Sequence, residues 1–259
     1  MGGLALASVG AGAVALREVN SPQNLVGGSF TSAALRGAET GWAISYPPGE
    51  SPGAHLPVLI ALHGKGGNHR DAFTSLGLAD AQESVPAAHG FAISSVDGGG
   101  DYWHRRRDGR DAGVMLTDEL LPVLEGQGLV TDRVALLGWS MGGYGSLLLA
   151  ATRLHGRVTA VMTMSAALWT TSGASAPGAF DDAEDFRAND VFAMRPALAS
   201  VPLLMDCGTS DPFVSANHAF VDGMTPRPAA NFESGGHDDT YWRAMAPRQL
   251  TFVAEHLSV

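Results

Sequence analysis

Three residue types that together activate a hydroxyl occur here in one chain order: a serine between glycines, an aspartate just beyond an apolar run, and a histidine in a glycine-flanked loop. Ser140 lies in "GWSMGG" (138–143), between the apolar "TDRVALL" and the helix-like "YGSLLLAATRL". G-x-S-x-G with a strand before it and a helix after it is the pattern of a nucleophile elbow. The reason for the glycines is steric: the turn brings neighbouring backbone so close that positions two before and two after the serine cannot carry bulk. The helix that follows aims free N–H groups and partial positive charge at the place where an oxyanion would develop. A small residue in a tight glycine-rich turn is the alternative reading of the same pentapeptide.

A serine needs a base, and the base needs an orienting carboxylate. Downstream of Ser140 stand His155, His218, His237 and His256. His155 belongs to a helix exit, His218 to the helix-like "SANHAFVDGM", and His256 to the end of the last helix. His237 alone sits in a loop, "ESGGHDDTYW", just ahead of the final helix, so it is the candidate base. Asp211 in "TSDPF" falls on the loop beyond the run "VPLLMDCG" and is the candidate carboxylate. Asp206 competes but lies within that run, and Asp238 and Asp239 are too close to His237 along the chain. The oxyanion donors expected are the backbone N–H of Met141 and one from the loop "HGKGGN" (63–68), Lys65 first and Gly66 second. His63 precedes Ser140 and is assigned a structural hydrogen-bonding role at the base of that loop.

The elements that must hold these groups are legible as alternating runs. "LPVLIALHG" (56–64), "GFAISSVDGGG" (90–100), "DRVALLGWS" (132–140), "VTAVMTMSAAL" (158–168) and "VPLLMDCG" (201–208) are continuously apolar, as strands buried on both faces are. "GWAISYPPG" (41–49) alternates and breaks at two prolines, which predicts an early edge strand. Helical spacing appears over 71–85, 111–128, the residues after the elbow, and the C-terminal "DTYWRAMAPRQLTFVAEHL", where Pro247 marks a kink or the true start. Strands alternating with helices predict an α/β fold, a mostly parallel central sheet with helices on both faces, in one catalytic domain over 30–259. The polar stretch 170–190, "TTSGASAPGAFDDAEDFRAND", interrupts the alternation and reads as a lid or substrate wall, or else as a solvated loop.

Composition narrows the partners. With 26 acidic against 16 basic residues the net charge is −10, which disfavours a nucleic-acid partner. One basic cluster, "HRRRDGR" (104–110), suits an anionic or sugar-like ligand, or is an exposed arginine loop. The single cysteine, Cys207, gives no intramolecular disulfide and no zinc or redox motif, and reads as a small buried hydrophobe. Residues 4–16 form a short apolar leader without a basic start, signal-like in its A-x-A steps and too short to span a bilayer. Export, with 1–20 as leader, is the expectation, and a cytoplasmic location the alternative.

"HGKGGNHRDAF", "GWSMGGYGSLLLA", "CGTSDPF" and "GGHDDTYW" together resemble the esterase D and mycolyltransferase (antigen 85-like) branch of the α/β-hydrolases, from about residue 40 to the C-terminus. The resemblance implies an eight-stranded sheet core, no cofactor and no metal, and carboxylic ester substrates. By position it makes Ser140 the nucleophile, Asp211 the acid and His237 the base, with Lys65 and Met141 as oxyanion donors. It also implies that Tyr102 and Trp103, after the fourth core strand, line the site, although Trp103 equally suits packing; Arg105 of the basic cluster is a candidate beside them. The expected activity is hydrolysis of short- to medium-chain esters, with acyl transfer to a sugar or lipid alcohol as the alternative. A non-catalytic polysaccharide-binding protein on the same fold is the reading from another class, and the intact serine, aspartate and histidine argue against it.

Overall fold

The computed structural model describes residues 15–18, 25–86 and 90–257. The leader expected over 1–20 lies outside the described residues except for a short strand, β1 (Ala15–Glu18). The strands that follow are β2 (Leu25–Ser32), β3 (Ala38–Ser45), β4 (Pro57–Leu62), β5 (Ala92–Val96), β6 (Val130–Trp139), β7 (Val158–Met164), β8 (Leu203–Gly208) and β9 (Ala229–Glu233). They form one sheet in the order β1-β2-β3-β5-β4-β6-β7-β8-β9. The first four strands of that order pair antiparallel, and β5 through β9 pair parallel. The eight-stranded core expected from the resemblance is β2–β9, and β1 extends it.

Burial explains why the continuous runs became central strands. Every residue of β4, β5 and β8 is buried. Along β4, Val58, Ile60 and Leu62 join the core layer on one face, while Leu59 and Ala61 join the layer on the other. Each such aliphatic side chain contributes roughly 1.5–3 kcal/mol by leaving water, and only a strand covered on both sides collects that from every position.

Two expectations are corrected here. β3 is no edge strand, because β2 flanks it on one side and β5 on the other; Pro47 and Pro48 end the strand rather than mark a free edge. The segment 71–85 is not one helix but two short ones, α1 (Asp71–Thr74) and α2 (Leu78–Gln82), since Gly77 adopts a left-handed φ of 65° between them. The 111–128 segment is helical as α3 (Ala112–Val114), a π-helical stretch (Met115–Leu120) and α4 (Leu121–Gly126). Four further helices follow: α5 (Met141–Ala151), α6 (Ala183–Ala188), α7 (Arg195–Leu198) and α8 (Val214–Asp222).

The last helix, α9 (Asp239–His256), runs through Pro247 without ending there. It is keyed to the sheet by a buried carboxylate. Asp206 of β8 accepts from Arg248 Nη1 at 2.7 Å and from Gln249 Nε2 at 2.6 Å. Burial drives the Asp206 pKa up to about 6, and the Gln249 bond and the Arg248 charge only partly oppose it. The folded protein therefore keeps a proton between about pH 4 and 6 that the unfolded chain has already released. Stability gained from that proton is full at low pH and is lost as pH rises through the window, by about 3 kcal/mol. Asp206→Asn keeps the Gln249 contact and removes the titration, so urea unfolding at pH 4 and pH 6.5 is expected to show a flatter stability profile in the variant. Parallel profiles for the two proteins would place the Asp206 proton elsewhere.

Candidate active site

Ser140 stands where β6 turns into α5, with φ 53° and ψ −118°, a conformation that is strained for any residue but glycine. The glycines around it are obligatory. A Cβ on Gly138 would lie 2.1 Å from the Gly142 oxygen, and one on Gly142 would lie 1.8 Å from the Leu62 carbonyl oxygen. On Gly143 it would meet the Ala166 Cα at 2.9 Å. The turn is held by the neighbouring strand exit: Ser140 N–H donates to Met164 O at 3.0 Å, and Ala167 N–H donates to Ser140 O at 2.9 Å. Met141 opens α5, so its N–H has no intrahelical acceptor and faces the turn.

His237 and Asp211 arrive from two loops that are zipped together. Thr209 N–H donates to Glu233 O at 2.8 Å and Ser210 N–H to Gly235 O at 2.9 Å, so the loops after β8 and β9 leave the sheet side by side. Asp238 then caps α9 by accepting from Tyr241 N–H at 3.0 Å, which fixes His237 one residue ahead of the cap. His237 Nδ1 lies 2.8 Å from Asp211 Oδ2, and its Nε2 lies 2.9 Å from Ser140 Oγ. An ionised carboxylate only accepts, so in the neutral imidazole Nδ1–H donates to Asp211 and Nε2 is left to accept from the serine hydroxyl. Burial by itself would raise the Asp211 pKa. Hydrogen bonds from His237, Ser165 and the Phe213 N–H outweigh it and hold the carboxyl below the usual carboxylate range. The imidazole is seated between two rings, Phe213 with centroids 5.2 Å away and Trp242 at 5.0 Å, nearly perpendicular.

The loop after β4 brings a third set of groups. His63 is fully buried; Gly98 N–H donates to its Nε2 at 2.9 Å, and Nδ1 donates to Gly64 O at 2.7 Å. Desolvation lowers its pKa, in keeping with a neutral ring used as a brace. Farther along the loop, Asp97 accepts from the His69 N–H at 2.7 Å, from His69 Nδ1 at 2.8 Å and from Gly41 N–H at 3.0 Å. Lys65 and Gly66 form the exposed turn between these ties, Gly66 with φ 80°. Lys65 Nζ reaches Pro177 O at 3.1 Å, bridging to the 170–190 segment. A serine paired to a histidine–carboxylate couple, beside a helix N-terminus and a glycine loop, is equipped to form and break an acyl-enzyme.

The other expected residues fall as follows. Trp103 does not line the site: Tyr102 and Trp103 have consecutive left-handed φ values of 56° and 62°, which turn the indole inward. Its ring fills the space that a side chain at Gly98 or Gly145 would occupy and sits edge-on to His63 at 5.3 Å. Tyr102 belongs to an aromatic cluster with Tyr144, Trp169 and Phe180. Arg105 is exposed in an open cleft with Asp181, Asp182, Glu184 and Asp185. Its neighbours Arg106 and Arg107 pair with Asp181 and Asp182, so most of the basic cluster serves to staple the 170–190 segment. That segment is anchored at a few points, with Ala179 and Phe186 buried and Asn189 O accepting from Tyr144 OH at 2.8 Å, while its other residues are half-buried or exposed. His155 is exposed, His218 stacks on Phe232, and His256 packs against Phe252. Phe213, Trp169, Ser165 and Trp242 stand around Ser140, His237 and Asp211 without having been singled out by the sequence. Phe213, Trp242 and Ser165 fell inside quoted stretches, and Trp169 fell just beyond one.

The architecture defines an α/β-hydrolase. Solved structures match over nearly the whole chain: a ferulic acid esterase (22% identity, TM-score 0.75, 89% of this chain and 98% of that one), an S-formylglutathione hydrolase from Agrobacterium tumefaciens (17%, 0.74, 94% and 99%) and MPT51 of Mycobacterium tuberculosis (15%, 0.68, 96% and 100%). The family model Esterase, described as "Putative esterase", matches residues 32–252, and the chain belongs to that family. A search of curated proteins gives no match.

Gly142→Ala tests the tightest contact of the elbow. With backbone atoms on both sides of the clash, neither partner can swing away, and the variant is expected to lose about 3 kcal/mol or more of folding stability or to fail to fold. Equilibrium urea unfolding measures it, and wild-type stability would mean the elbow is looser than these distances require.

Proposed function

We propose that this serine hydrolase is a carboxylesterase that acts through Ser140, His237 and Asp211. The observation that carries the reading is the line Ser140 Oγ–His237 Nε2, 2.9 Å, and His237 Nδ1–Asp211 Oδ2, 2.8 Å, at a strained strand-to-helix turn. In this reading Ser140 Oγ attacks the ester carbonyl while His237 Nε2 takes its proton. Asp211 holds the tautomer and stabilises the imidazolium. The N–H groups of Met141 and Lys65 receive the oxyanion of the tetrahedral intermediate. His237 then returns the proton to the departing alcohol, and water, deprotonated by the same imidazole, releases the acid.

The acyl group we assign is short to medium in length. Phe213 packs against both His237 and Trp169, and Trp169 against Tyr102 and Phe180, so a compact aromatic wall leads away from the imidazole. Lys65 Nζ closes one end of that wall, 5.8 Å above the Tyr102 ring. Transfer to a sugar or lipid alcohol uses the same acyl-enzyme and differs only in the acceptor. MPT51 shares the fold, and export of the chain is an expectation of the sequence that accords with such a role.

Initial rates on p-nitrophenyl esters from acetate to palmitate, with methyl ferulate and S-formylglutathione added because of the structural neighbours, test the reading. Ser140→Ala is expected to lose at least about 10³-fold in kcat, with highest wild-type rates on the shorter chains. Product analysis with glycerol or trehalose present separates hydrolysis from transfer. Equal rates in wild type and Ser140→Ala would remove Ser140 as nucleophile.

A further inference from the structure

Ser165 is the first residue after β7 and lies between the strand exits that carry Ser140 and Asp211. It is fully buried and holds a left-handed φ of 52°. Such a conformation costs a non-glycine residue roughly 1–3 kcal/mol and persists where surrounding contacts enforce it. Its N–H donates to Asp206 O at 2.7 Å, while the adjoining Met164 O and Ala167 N–H hold the backbone of Ser140. The indole Nε1–H of Trp242, on α9, donates to Ser165 Oγ at 3.0 Å. The same indole stands edge-on to the His237 ring, centroids 5.0 Å apart at 85°.

We infer that Ser165 and Trp242 are positioning residues of the Asp211–His237 pair: the indole N–H occupies a lone pair of Ser165 Oγ, the hydroxyl hydrogen is thereby directed to the Asp211 carboxylate, and the perpendicular indole ring fixes the tilt of the imidazole. This rests on the triad reading above. A hydroxyl has one hydrogen to give and accepts at its lone pairs. The Ser165 hydroxyl favours the ionised forms of both Asp211 and Cys207, which makes the carboxylate and the thiol the two acceptors open to its hydrogen. The ionised carboxylate is the stronger acceptor. Asp211 then receives bonds from His237, Phe213 N–H and Ser165, and a hydrogen bond that is itself fed by a donor is strengthened.

The expected effects have a sign. The positive end of the Ser165 hydroxyl dipole offsets part of the negative potential that Asp211 exerts on the imidazole. Removing it makes the imidazolium easier to form, so the acid limb of the kcat/KM–pH profile moves to higher pH. Other titratable groups facing this pair are Cys207 and Asp206 on β8, Tyr241 on α9 and Glu233 at the end of β9. Burial pushes the Cys207 thiol up to about 12 and the Tyr241 phenol higher still, so neither titrates in the assay range. Asp206 is raised to about 6 and does, so Asp206→Asn is the control for its contribution.

The experiment is the pH dependence of p-nitrophenyl acetate hydrolysis for wild type, Ser165→Ala, Trp242→Phe, their double variant, Ser140→Ala and the Asp206→Asn control. Ser165→Ala is expected to raise the acid limb by roughly 0.5 pH unit and to lower kcat about tenfold with KM unchanged. Trp242→Phe keeps the ring and loses the N–H, so it should move both readouts the same way by less. The double variant should fall short of the sum of the singles. Acid limbs that overlay the wild type, with kcat within about twofold, while Ser140→Ala is inactive, would overturn the relay and leave the triad standing. Full turnover in Ser140→Ala would overturn both. If Trp242→Phe does not fold, Ser165→Ala alone decides.

Discussion

The carbonyl oxygen of Leu62 lies 1.8 Å from where a side chain at position 142 would begin. That absence of a side chain lets α5 sit down on the end of β4, and most of the site follows from it. β6 delivers Ser140, α5 delivers the N–H of Met141, and β4 delivers the loop holding Lys65. The spacing between these groups is therefore set by one backbone-to-backbone approach rather than by adjustable side chains. Trp103 reinforces the same junction from outside, its ring wedged between Gly98 and Gly145 and braced on His63.

Electrostatics divides the region beyond β8 into two different carboxyls five residues apart. Asp206 is enclosed within the strand, and burial dominates, so its proton is retained to about pH 6. Asp211 is nearly as enclosed, yet bonds from His237, Ser165 and the Phe213 N–H keep it ionised. One carboxyl keys α9 to the sheet and the other orients an imidazole. The difference comes from the deeper burial of Asp206 and from the fuller set of donors that Asp211 meets.

How much of this was readable beforehand depends on the kind of signal. Strands covered on both faces announce themselves as unbroken apolar runs, and β4 through β8 appeared within a few residues of their limits. β2 and β9 did not, because "LVGGSFTS" carries two glycines and "AANFE" is half exposed, so neither shows a clean period. Ser140 could be named from its glycine-flanked turn, Asp211 from its loop beyond the β8 run, and His237 as the downstream histidine on a loop just ahead of the last helix. Trp103 left two readings open, since an aromatic beside a site looks the same in sequence whether its backbone turns it inward or outward. Ser165 carried no signal at all: a serine in "MTMSAAL" looks like any strand end, and its partners lie 46 and 77 residues away along the chain.

The three groups that meet at Ser140 do not hang from equally secure supports. β6 and β8 have neighbours on both sides, but β9 closes the sheet among the described residues, and its five residues are half-buried or exposed. His237 follows that strand by a few residues and is held by the bonds from Thr209 and Ser210 and by the start of α9. Segments with few buried contacts open first, at a fraction of the free energy needed to unfold the whole. Fraying of this margin withdraws the imidazole while the central strands remain intact. On warming, the margin that carries His237 is thus expected to open at lower cost than the central strands, which would part the imidazole from Ser140 before the core unfolds.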